Sequence, residues 1–223
     1  MKQILVVDDE NRMRKLICDF LKTEKYDVLE AKDGNEALHI FSTHPDIVLI
    51  ILDVMIPDYD GWSVCRRIRK TSTIPIIFLT ARCEEMDELF GFELGADEYI
   101  KKPFNPHILV ARINALLKRE KQCSGTARVV GGIKIDEDAR TVSIDGKTLK
   151  LSPREYSLLL YLVDNEGLAL SRNQILHTVW NYDYDGYERT IDTHIKKLRL
   201  KLDSKKEYIQ TIWNYGYRFQ TVK

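Results

Sequence analysis

Six consecutive apolar residues, Ile47–Leu52, are followed at once by an acid, Asp53. The run is too short for a helix, and its β-branched residues predict a strand buried on both faces, as at the centre of a parallel sheet. In open α/β sheets, ligands bind in the crevice beyond the carboxyl ends of the strands. Asp53 is therefore a candidate reactive group, although a lone acid at such a position more often caps the following turn.

Strand-like and helix-like segments alternate five times in the first half of the chain. This alternation predicts an α/β fold, a doubly wound parallel sheet of five strands. The predicted strands are residues 3–7, 26–31, 47–52, 75–79 and 98–100, and the predicted helices are residues 10–22, 35–41, 62–69, 84–94 and 105–119.

Charge is divided unevenly along the 223 residues, which are enough for two domains of ordinary size. Residues 1–123 contain 18 Lys and Arg against 21 Asp and Glu, whereas residues 124–223 contain 16 against 13. The small positive excess in the second half favours a polyanionic partner.

The four cysteines, Cys18, Cys65, Cys83 and Cys123, are widely separated and lack metal-ligand spacing. We expect free thiols in a reducing cytosol. No apolar run approaches membrane-spanning length, and no signal peptide precedes the first strand, so we expect a soluble cytoplasmic protein with no membrane partner.

Five polar side chains follow the predicted strands at their carboxyl ends: Asp8, Asp9, Asp53, Thr80 and Lys102. Three carboxylates suit a hard cation such as Mg²⁺. That cation and Lys102 would neutralise the oxygens of a transferred phosphoryl group, and Thr80 would donate a hydrogen bond to it. Asp53 would be the nucleophile that forms an acyl phosphate. No single residue is specific, but the five together predict a phosphoryl-transfer site.

Residues 1–120 resemble the receiver domain of response regulators, which has a flavodoxin-like fold. The resemblance rests on the motifs Val7-Asp8-Asp9-Glu10, Leu52-Asp53 followed by Met55, Pro57 and Gly61, Leu79-Thr80-Ala81, Gly95-Ala96-Asp97, and Lys101-Lys102-Pro103-Phe104. It implies that Asp53 accepts a phosphoryl group from a sensor histidine kinase. It also implies that Asp9, Asp53 and the backbone of Met55 bind Mg²⁺, with Asp8 contributing through water.

The same resemblance implies a switch that leads to a homodimer. Thr80 would move toward the phosphoryl group, and the ring of Tyr99 would turn inward behind it. Two receivers would then pair through charges on the last helices and strand of the domain. Of these charge pairs, Glu98 with Arg112 and Asp97 with Arg119 are intact, whereas Glu88 occupies a usually basic position and Ile108 its usually acidic partner position.

Residues 121–128 are polar, with Ser124-Gly125-Thr126 in the middle, and are predicted to form a flexible linker. Residues 129–223 are predicted to form a second, α+β domain. Three short strands precede three helices, and a β-hairpin follows the third helix. Ser152-Pro153-Arg154-Glu155 is a helix start signal, with Ser152 as the cap.

The third helix of this domain, from about residue 189 to 202, has one apolar side and one basic side. Arg189, Thr193, Lys196 and Lys197 lie opposite the apolar stripe, and Arg199 continues the positive run toward the hairpin. A basic helix is often only a solvated surface. However, a helix followed by a β-hairpin is also the shape that places a helix in the major groove of DNA with a wing beside it.

Residues 129–221 resemble the winged-helix domain of OmpR/PhoB-type regulators. The matches are Leu151-Ser152-Pro153-Arg154-Glu155-Tyr156, Ser171-Arg172, Val179-Trp180, residues 189–195, residues 198–202, and Gly216-Tyr217-Arg218-Phe219. The resemblance implies that the chain binds direct repeats in double-stranded promoter DNA and meets RNA polymerase through residues 181–188. It implies base contacts from Asp192, Thr193 and Lys197, and phosphate contacts from Arg172, Trp180, Arg189, His194, Lys196, Arg199 and Tyr217. The alternative for Trp180 is a cap of the core, and the two roles are compatible.

The wing departs from the family pattern. The family usually has an Arg-Gly pair there, whose arginine enters the minor groove, and this chain has Trp213-Asn214. An indole carries no charge to attract the negative potential of the narrow groove. We therefore expect a weaker or differently placed wing contact, with Arg218 as a candidate.

Two other functions are compatible with parts of the sequence. The first is a Mg²⁺-dependent phosphohydrolase with an aspartyl intermediate, but Met55 stands where a second acid is expected, and the basic helix is left unexplained. The second is a regulator whose receiver pairs without phosphate, against which the intact set of acids argues. We expect a transcriptional regulator with no enzyme activity beyond self-phosphotransfer and autodephosphorylation at Asp53.

Overall fold

A computed structural model describes residues 2–82, 84–118, 127–137, 139–180 and 187–221 of the chain. The chain divides into two compact units, residues 1–118 and 119–223. None of the described helices is both long enough and apolar enough to cross a membrane. Cys18 and Cys65 are buried free thiols, and Cys83 and Cys123 lie outside the described residues.

The first unit is a five-stranded parallel sheet with the strand order β2-β1-β3-β4-β5. The predicted α/β doubly wound fold is confirmed. Its elements are β1 (Gln3–Val7), α1 (Asn11–Thr23), β2 (Asp27–Ala31), α2 (Gly34–Thr43), β3 (Ile47–Leu52), α3 (Gly61–Arg69), β4 (Ile76–Thr80), α4 (Glu85–Leu94), β5 (Glu98–Lys101) and α5 (Pro106–Lys118).

The central strand β3 is buried on both faces, as its unbroken apolar sequence predicts. Leu49 and Ile51 belong to a core that includes Ile17 of α1 and Ile113 of α5, so these two helices cover one face of the sheet. The carboxyl ends of β1 and β3 lie side by side because Val7 pairs with Leu52. This register brings the acids after the two strands together.

The described residues of the second unit form two small sheets, three α-helices and one 3₁₀ helix. One sheet has four antiparallel strands in the order β6-β7-β8-β9, and the other has three strands in the order β10-β12-β11. The elements are β6 (Arg128–Val130), β7 (Ile133–Asp136), β8 (Thr141–Ile144), β9 (Lys147–Leu149), α6 (Pro153–Asp164), β10 (Leu170–Ser171), α7 (Arg172–Trp180), α8 (Thr190–Leu202), a 3₁₀ helix (Asp203–Tyr208), β11 (Ile209–Ile212) and β12 (Gly216–Phe219).

Helix α6 begins at the predicted signal. The Oγ atom of Ser152 accepts a hydrogen bond from the backbone N–H of Glu155, and the Glu155 carboxylate accepts one from the backbone N–H of Ser152. Lys201 of α8 donates to the same carboxylate at 2.5 Å. This capping box therefore also joins α6 to α8, and Lys201 has a structural role within the basic run.

Two strands were not predicted. Strand β6 begins at Arg128, within the stretch expected to be linker, and pairs with β7 across the Gly131-Gly132 turn. Strand β10 contains only two residues, which pair with β12 next to the hairpin. Strands of two or three residues are too short to show an alternating apolar pattern, so local sequence does not reveal them. They form because neighbouring strands in the folded unit pair with them.

Candidate functional site

Three carboxylates lie together at the carboxyl edge of the parallel sheet. Asp8 follows β1 and is 2% exposed, Asp53 follows β3 and is 6% exposed, and Asp9 is exposed to solvent. One oxygen of each lies within 4.8 Å of the others. The structure thus brings together the three acids that the sequence singles out.

Lys102 lies between the two buried acids. Its Nζ atom is 2.6 Å from Oδ2 of Asp8 and 2.5 Å from Oδ2 of Asp53. Its backbone N–H donates to the carbonyl of Thr80 at 2.9 Å, which fixes the loop after β5 against β4. Three ionised carboxylates and one ammonium leave a net charge of about −2, which a divalent cation would neutralise.

The remaining oxygen of each buried carboxylate is held by the backbone two residues further along the chain. Oδ1 of Asp8 accepts from the N–H of Glu10 at 2.9 Å, and Oδ1 of Asp53 accepts from the N–H of Met55 at 2.9 Å. Both side chains are therefore fixed in orientation before any ligand arrives. The pairing with Met55 also places its backbone beside Asp53.

Burial and charge act in opposite directions at this site. Burial raises the pKa of Asp8 above its usual value, and the hydrogen bonds from Lys102 and Glu10 offset only part of that rise. Burial alone would lower the pKa of Lys102, but its hydrogen bonds to Asp53 and Asp8 outweigh it, so the net shift is upward. Lys102 is therefore a firmly protonated ammonium at neutral pH.

Arg14, which the sequence analysis missed, holds the backbone of the acid pair. Its Nη1 atom donates to the carbonyl of Asp8 at 2.6 Å and to the carbonyl of Asp9 at 3.2 Å. An arginine one turn into α1 gives no sequence signal of this contact, because the contact depends on how the strand leads into the helix.

Gly61 is required by the close approach of α3 to the end of β3. A Cβ atom there would lie 2.1 Å from the carbonyl oxygen of Asp53.

An open groove of about 430 Å³ lies next to the acids, between Asp9, Met55, Trp62 and Arg82. The groove is open to solvent beside the acids.

The two predicted switch residues, Thr80 and Tyr99, both bond to the backbone of Arg82. The hydroxyl of Thr80 accepts from the N–H of Arg82 at 3.4 Å, and the hydroxyl of Tyr99 donates to the carbonyl of Arg82 at 3.1 Å. Tyr99 is 4% exposed, so its ring already lies inward. The side chain of Arg82 bonds Asp87 at 3.1 Å and covers the ring of Trp62.

The residues expected on the dimer face are mostly buried within the single chain. Glu98 is fully buried and pairs with Arg112 at 2.8 Å. Asp97 is also fully buried and accepts from Arg69 at 2.9 Å, while Arg119 lies outside the described residues. Neither acid is an exposed partner for a second copy in this arrangement.

Glu88 and Ile108 are the two positions that depart from the charge pattern of the family. Glu88 is buried 3.8 Å from Lys101, and Ile108 is 43% exposed.

Helix α8 of the second unit presents its basic side to solvent. Arg189 and Lys196 are exposed, Lys197 is half-buried, and Thr193 is 9% exposed. The apolar residues Ile191, Ile195, Leu198 and Leu202 are fully buried on the opposite side. The basic residues therefore lie opposite the apolar stripe as predicted, whereas Thr193, predicted on the same side, is buried.

Three of the predicted DNA contacts bond to one another. Asp192 accepts from Nε of Arg172 at 2.8 Å and from the hydroxyl of Tyr217 at 2.6 Å. Burial first, and then the bond to Asp192, raises the pKa of Tyr217 to about 12. This cluster joins α7, α8 and β12 and holds a protonated phenol and an arginine beside the basic side of α8.

Two residues that are predicted to contact phosphates are buried in the structure. Trp180 and His194 are each 1% exposed, and their rings pack against each other with centroids 4.8 Å apart. Arg154, also fully buried, lies over the Trp180 ring and donates to the carbonyl of Val179. Burial lowers the pKa of His194 well below its usual value, so it adds no positive charge to the surface. Apolar packing between α7 and α8 explains both positions.

Two arginines near the wing also have partners within the protein. Arg199 donates to the carbonyl of Ile209 at 3.1 and 2.7 Å and to the hydroxyl of Thr211 at 2.9 Å, which ties α8 to β11. Arg218 donates to the side chain of Gln210 at 3.2 and 2.8 Å. Neither guanidinium reaches out from the wing as a family wing arginine does.

A parallel five-stranded sheet with this acid cluster, followed by a winged helix, defines a two-domain regulator that couples a receiver to DNA. Residues 4–114 match the response regulator receiver domain family, and residues 146–219 match the family described as transcriptional regulatory protein, C terminal. The chain belongs to the OmpR/PhoB-type response regulators of two-component systems, which regulate transcription.

Individual relatives agree with this assignment. The chain is 41% identical to the transcriptional regulatory proteins ResD of Bacillus subtilis and SrrA of Staphylococcus aureus, over 230 residues that cover 98% of this chain and 95% of each relative. The crystal structure of DrrB, an OmpR/PhoB homologue from Thermotoga maritima, matches with a TM-score of 0.53 and 36% identity over 99% of both chains. A regulator is therefore favoured over the phosphohydrolase alternative.

Proposed function

We propose that Asp53 receives a phosphoryl group from a sensor histidine kinase and that this event promotes dimerisation and promoter binding. The observation that carries the proposal is the convergence of Asp8, Asp9, Asp53 and Lys102 at one edge of the sheet. Asp53 is the member of this set at the end of the central strand.

In the proposed step, a carboxylate oxygen of Asp53 attacks the phosphorus of a phosphohistidine. The new P–O bond forms as the P–N bond breaks, and the imidazole leaves with the electron pair and takes up a proton. Lys102, now bonded to Asp53 at 2.5 Å, is within reach of the phosphoryl oxygens on the same carboxylate. Attack of water on that phosphorus later returns the carboxylate and releases phosphate, so the activity is self-phosphotransfer and autodephosphorylation.

The donor set fits Mg²⁺. Asp8, Asp9 and Asp53 supply hard carboxylate oxygens within 4.8 Å of one another, and the backbone of Met55 lies next to Asp53. When bound there, the ion would supply positive charge to the phosphoryl oxygens. Asp8 also keeps Lys102 in place at 2.6 Å, so its carboxylate serves both cations.

The switch is proposed to act through the backbone of Arg82. A phosphoryl group on Asp53 adds about two negative charges and accepts hydrogen bonds, which draws the hydroxyl of Thr80 toward it. Thr80 then releases the N–H of Arg82, whose carbonyl holds Tyr99. Movement at the phosphorylation site is thereby passed to the α4–β5–α5 face, where two receivers are proposed to pair. Glu98 and Asp97 are buried in bonds to Arg112 and Arg69 of the same chain, so they would have to leave these partners to take part in the pairing.

On DNA, α8 is proposed to enter the major groove. Thr193, Lys197 and Asp192 are the proposed base contacts, and Arg189, Lys196, Arg172, Arg199 and Tyr217 the proposed phosphate contacts. We leave Trp180 and His194 out of this set because only 1% of each is exposed, against 9% of Thr193. RNA polymerase is the proposed partner of residues 181–188, and two paired chains would occupy direct repeats.

The test uses the full chain with acetyl phosphate as a small phosphodonor and Mg²⁺. We expect a mass increase of one phosphoryl group, none in Asp53→Asn, and tighter binding of the phosphorylated chain to fragments selected from random DNA. Lys102→Ala should accept the group more slowly. An unmodified Asp53, or a modified chain with no preference for any fragment, would refute the proposal.

A further inference from the structure

The turn of the wing carries an exposed indole. Trp213 follows β11 and is 88% exposed, whereas Trp180 of the same unit is 1% exposed. Asn214 next to it has φ = +54°, a left-handed conformation that asparagine tolerates and that closes the hairpin. The side chain thus projects from a defined turn and contributes nothing to the core.

The wing is attached to the helices on two sides. Strand β12 pairs with β10, which leads directly into α7, and a Cβ atom on Gly216 would lie 2.1 Å from the carbonyl oxygen of Leu170. On the other side, Arg199 of α8 holds the carbonyl of Ile209 in β11. The tip therefore keeps a fixed position relative to the basic side of α8.

The chemistry of the tip is apolar and uncharged. No Asp or Glu occurs after Glu207, so the wing hairpin itself carries no negative side chain. Tyr215 is 46% exposed beside Trp213, and the nearest wing arginine, Arg218, is bonded to Gln210. This surface suits the floor and sugar walls of a groove rather than the phosphates along its edge.

We propose that Trp213 inserts into the minor groove of an A·T-rich segment beside the major-groove site of α8. The inference rests on the proposed function, because it requires α8 to bind duplex DNA. The floor of an A·T groove offers only the acceptors adenine N3 and thymine O2, which suit the N–H donor of an indole. Apolar wedges in this groove also widen flexible steps such as TA, which are the steps that deform at least cost.

The test measures binding of the phosphorylated full chain to selected DNA fragments over a range of salt. Trp213→Ala should weaken binding about tenfold, the size expected of one aromatic contact, with an unchanged salt slope because no charge is lost. Trp213→Arg should restore affinity and steepen the slope by roughly one phosphate equivalent. Val129→Ala removes another exposed apolar side chain, 66% exposed in β6, and should bind as the wild type does.

Tryptophan fluorescence distinguishes a direct contact of Trp213 with DNA from an effect of Trp213 on folding. DNA should shield part of the tryptophan emission from acrylamide in the wild type, and this shielding should disappear in Trp213→Phe. Placing guanine in the predicted A·T segment should weaken the wild type but not Trp213→Ala, since guanine adds an amino group to the groove floor.

The outcomes separate the two proposals. If the wild type binds selected DNA while Trp213→Ala binds equally well and shielding is absent, the wing inference is wrong and the proposed function stands. If Trp213→Ala changes self-association instead of DNA affinity, Trp213 contacts protein and the inference is likewise overturned. If the phosphorylated wild type binds no DNA, both proposals fail.

Discussion

At the scale of single residues, the site is organised before a ligand binds. Each buried acid gives one oxygen to a backbone N–H and the other to Lys102. In the proposed phosphoryl transfer the carboxylates would therefore not need to reorient, which is the advantage of preorganised electrostatics. Arg14 extends this arrangement to the backbone that carries Asp8 and Asp9.

Arg14→Ala should weaken Mg²⁺ binding by roughly tenfold, as is typical when an outer partner of a ligand is removed. The reason is that the carbonyls of Asp8 and Asp9 lose the guanidinium that fixes them. Calorimetric titration with Mg²⁺ measures the effect. Arg12→Ala, on the exposed side of the same helix, is the matched control, and an unchanged affinity in Arg14→Ala would rule out the positioning role.

Gly91→Ala should destabilise the receiver by about 1 kcal/mol, since overpacking outweighs the helix propensity of alanine. The added Cβ would lie 3.1 Å from the ring of Tyr99 and 3.2 Å from that of Phe78. In a Tyr99→Ala background the same change should cost less, because only the Phe78 ring remains in the way. Urea unfolding of the wild type, the two single variants and the double variant tests this, and an equal cost in both backgrounds would contradict it.

The sequence predicted the acids, Thr80 and Lys102 because each follows a recognisable strand. It could not predict Arg14 or Gly91, whose roles depend on distances between elements. It also placed Trp180 and His194 on the DNA surface, since a family motif identifies a position but not whether its side chain faces outward. Their packing against each other between α7 and α8 decides that question.

At the scale of elements, α8 has a basic side that faces solvent and an apolar side that packs into the core together with one buried histidine. His194 lies on its buried side beside Trp180 of α7, with Arg154 of α6 beneath. Burial lowers the pKa of His194 well below 6.5, so the folded domain binds fewer protons than the unfolded chain in mild acid.

Stability of the second domain should therefore be complete above about pH 6.5 and fall as the pH drops below it, by up to about 1.4 kcal/mol per pH unit. Urea unfolding between pH 7.5 and 5.5, followed by Trp180 fluorescence in a Trp62→Phe, Trp213→Phe chain, measures this. His194→Gln should flatten the dependence, while His177→Gln should keep it. Equal slopes in all three chains would exclude His194 as the cause.

Where an element is long enough to show its apolar pattern, its first and last residues were predicted to within one or two positions, as for β3 and α8. The exceptions, β6 and β10, have three and two residues. Their existence depends on partners, namely β7 for the first and β12 for the second. No window of sequence contains that information, because the pairing energy comes from residues distant in the chain or across a turn.

At the scale of the whole molecule, one charge pair of the family's dimer face is absent. Glu88 instead lies 3.8 Å from Lys101 within the same chain, and Ile108 is 43% exposed. An exposed ion pair contributes only about 0–1 kcal/mol to the free energy of association. Its loss is therefore small beside the free energy gained when an interface buries apolar area.

Phosphorylated wild-type chain should therefore sediment as a dimer, and Asp53→Asn treated in the same way should sediment as a monomer. Ile108→Glu should weaken the dimer, because it replaces an exposed apolar side chain on the proposed face with a carboxylate that loses water when two copies pair. Sedimentation velocity over a range of concentrations measures both effects. A phosphorylated wild type that stays monomeric at high concentration would show that the remaining contacts are insufficient.

The bonds from Arg199 to β11 and the pairing of β10 with β12 have a consequence for how operators are discriminated. With helix and hairpin fastened together, the protein cannot adjust the distance between its two points of contact. A DNA segment whose major and minor grooves are spaced unfavourably must bend or twist before the protein can bind it. Base pairs that are never touched, lying between the two contacts, would then influence affinity through their stiffness.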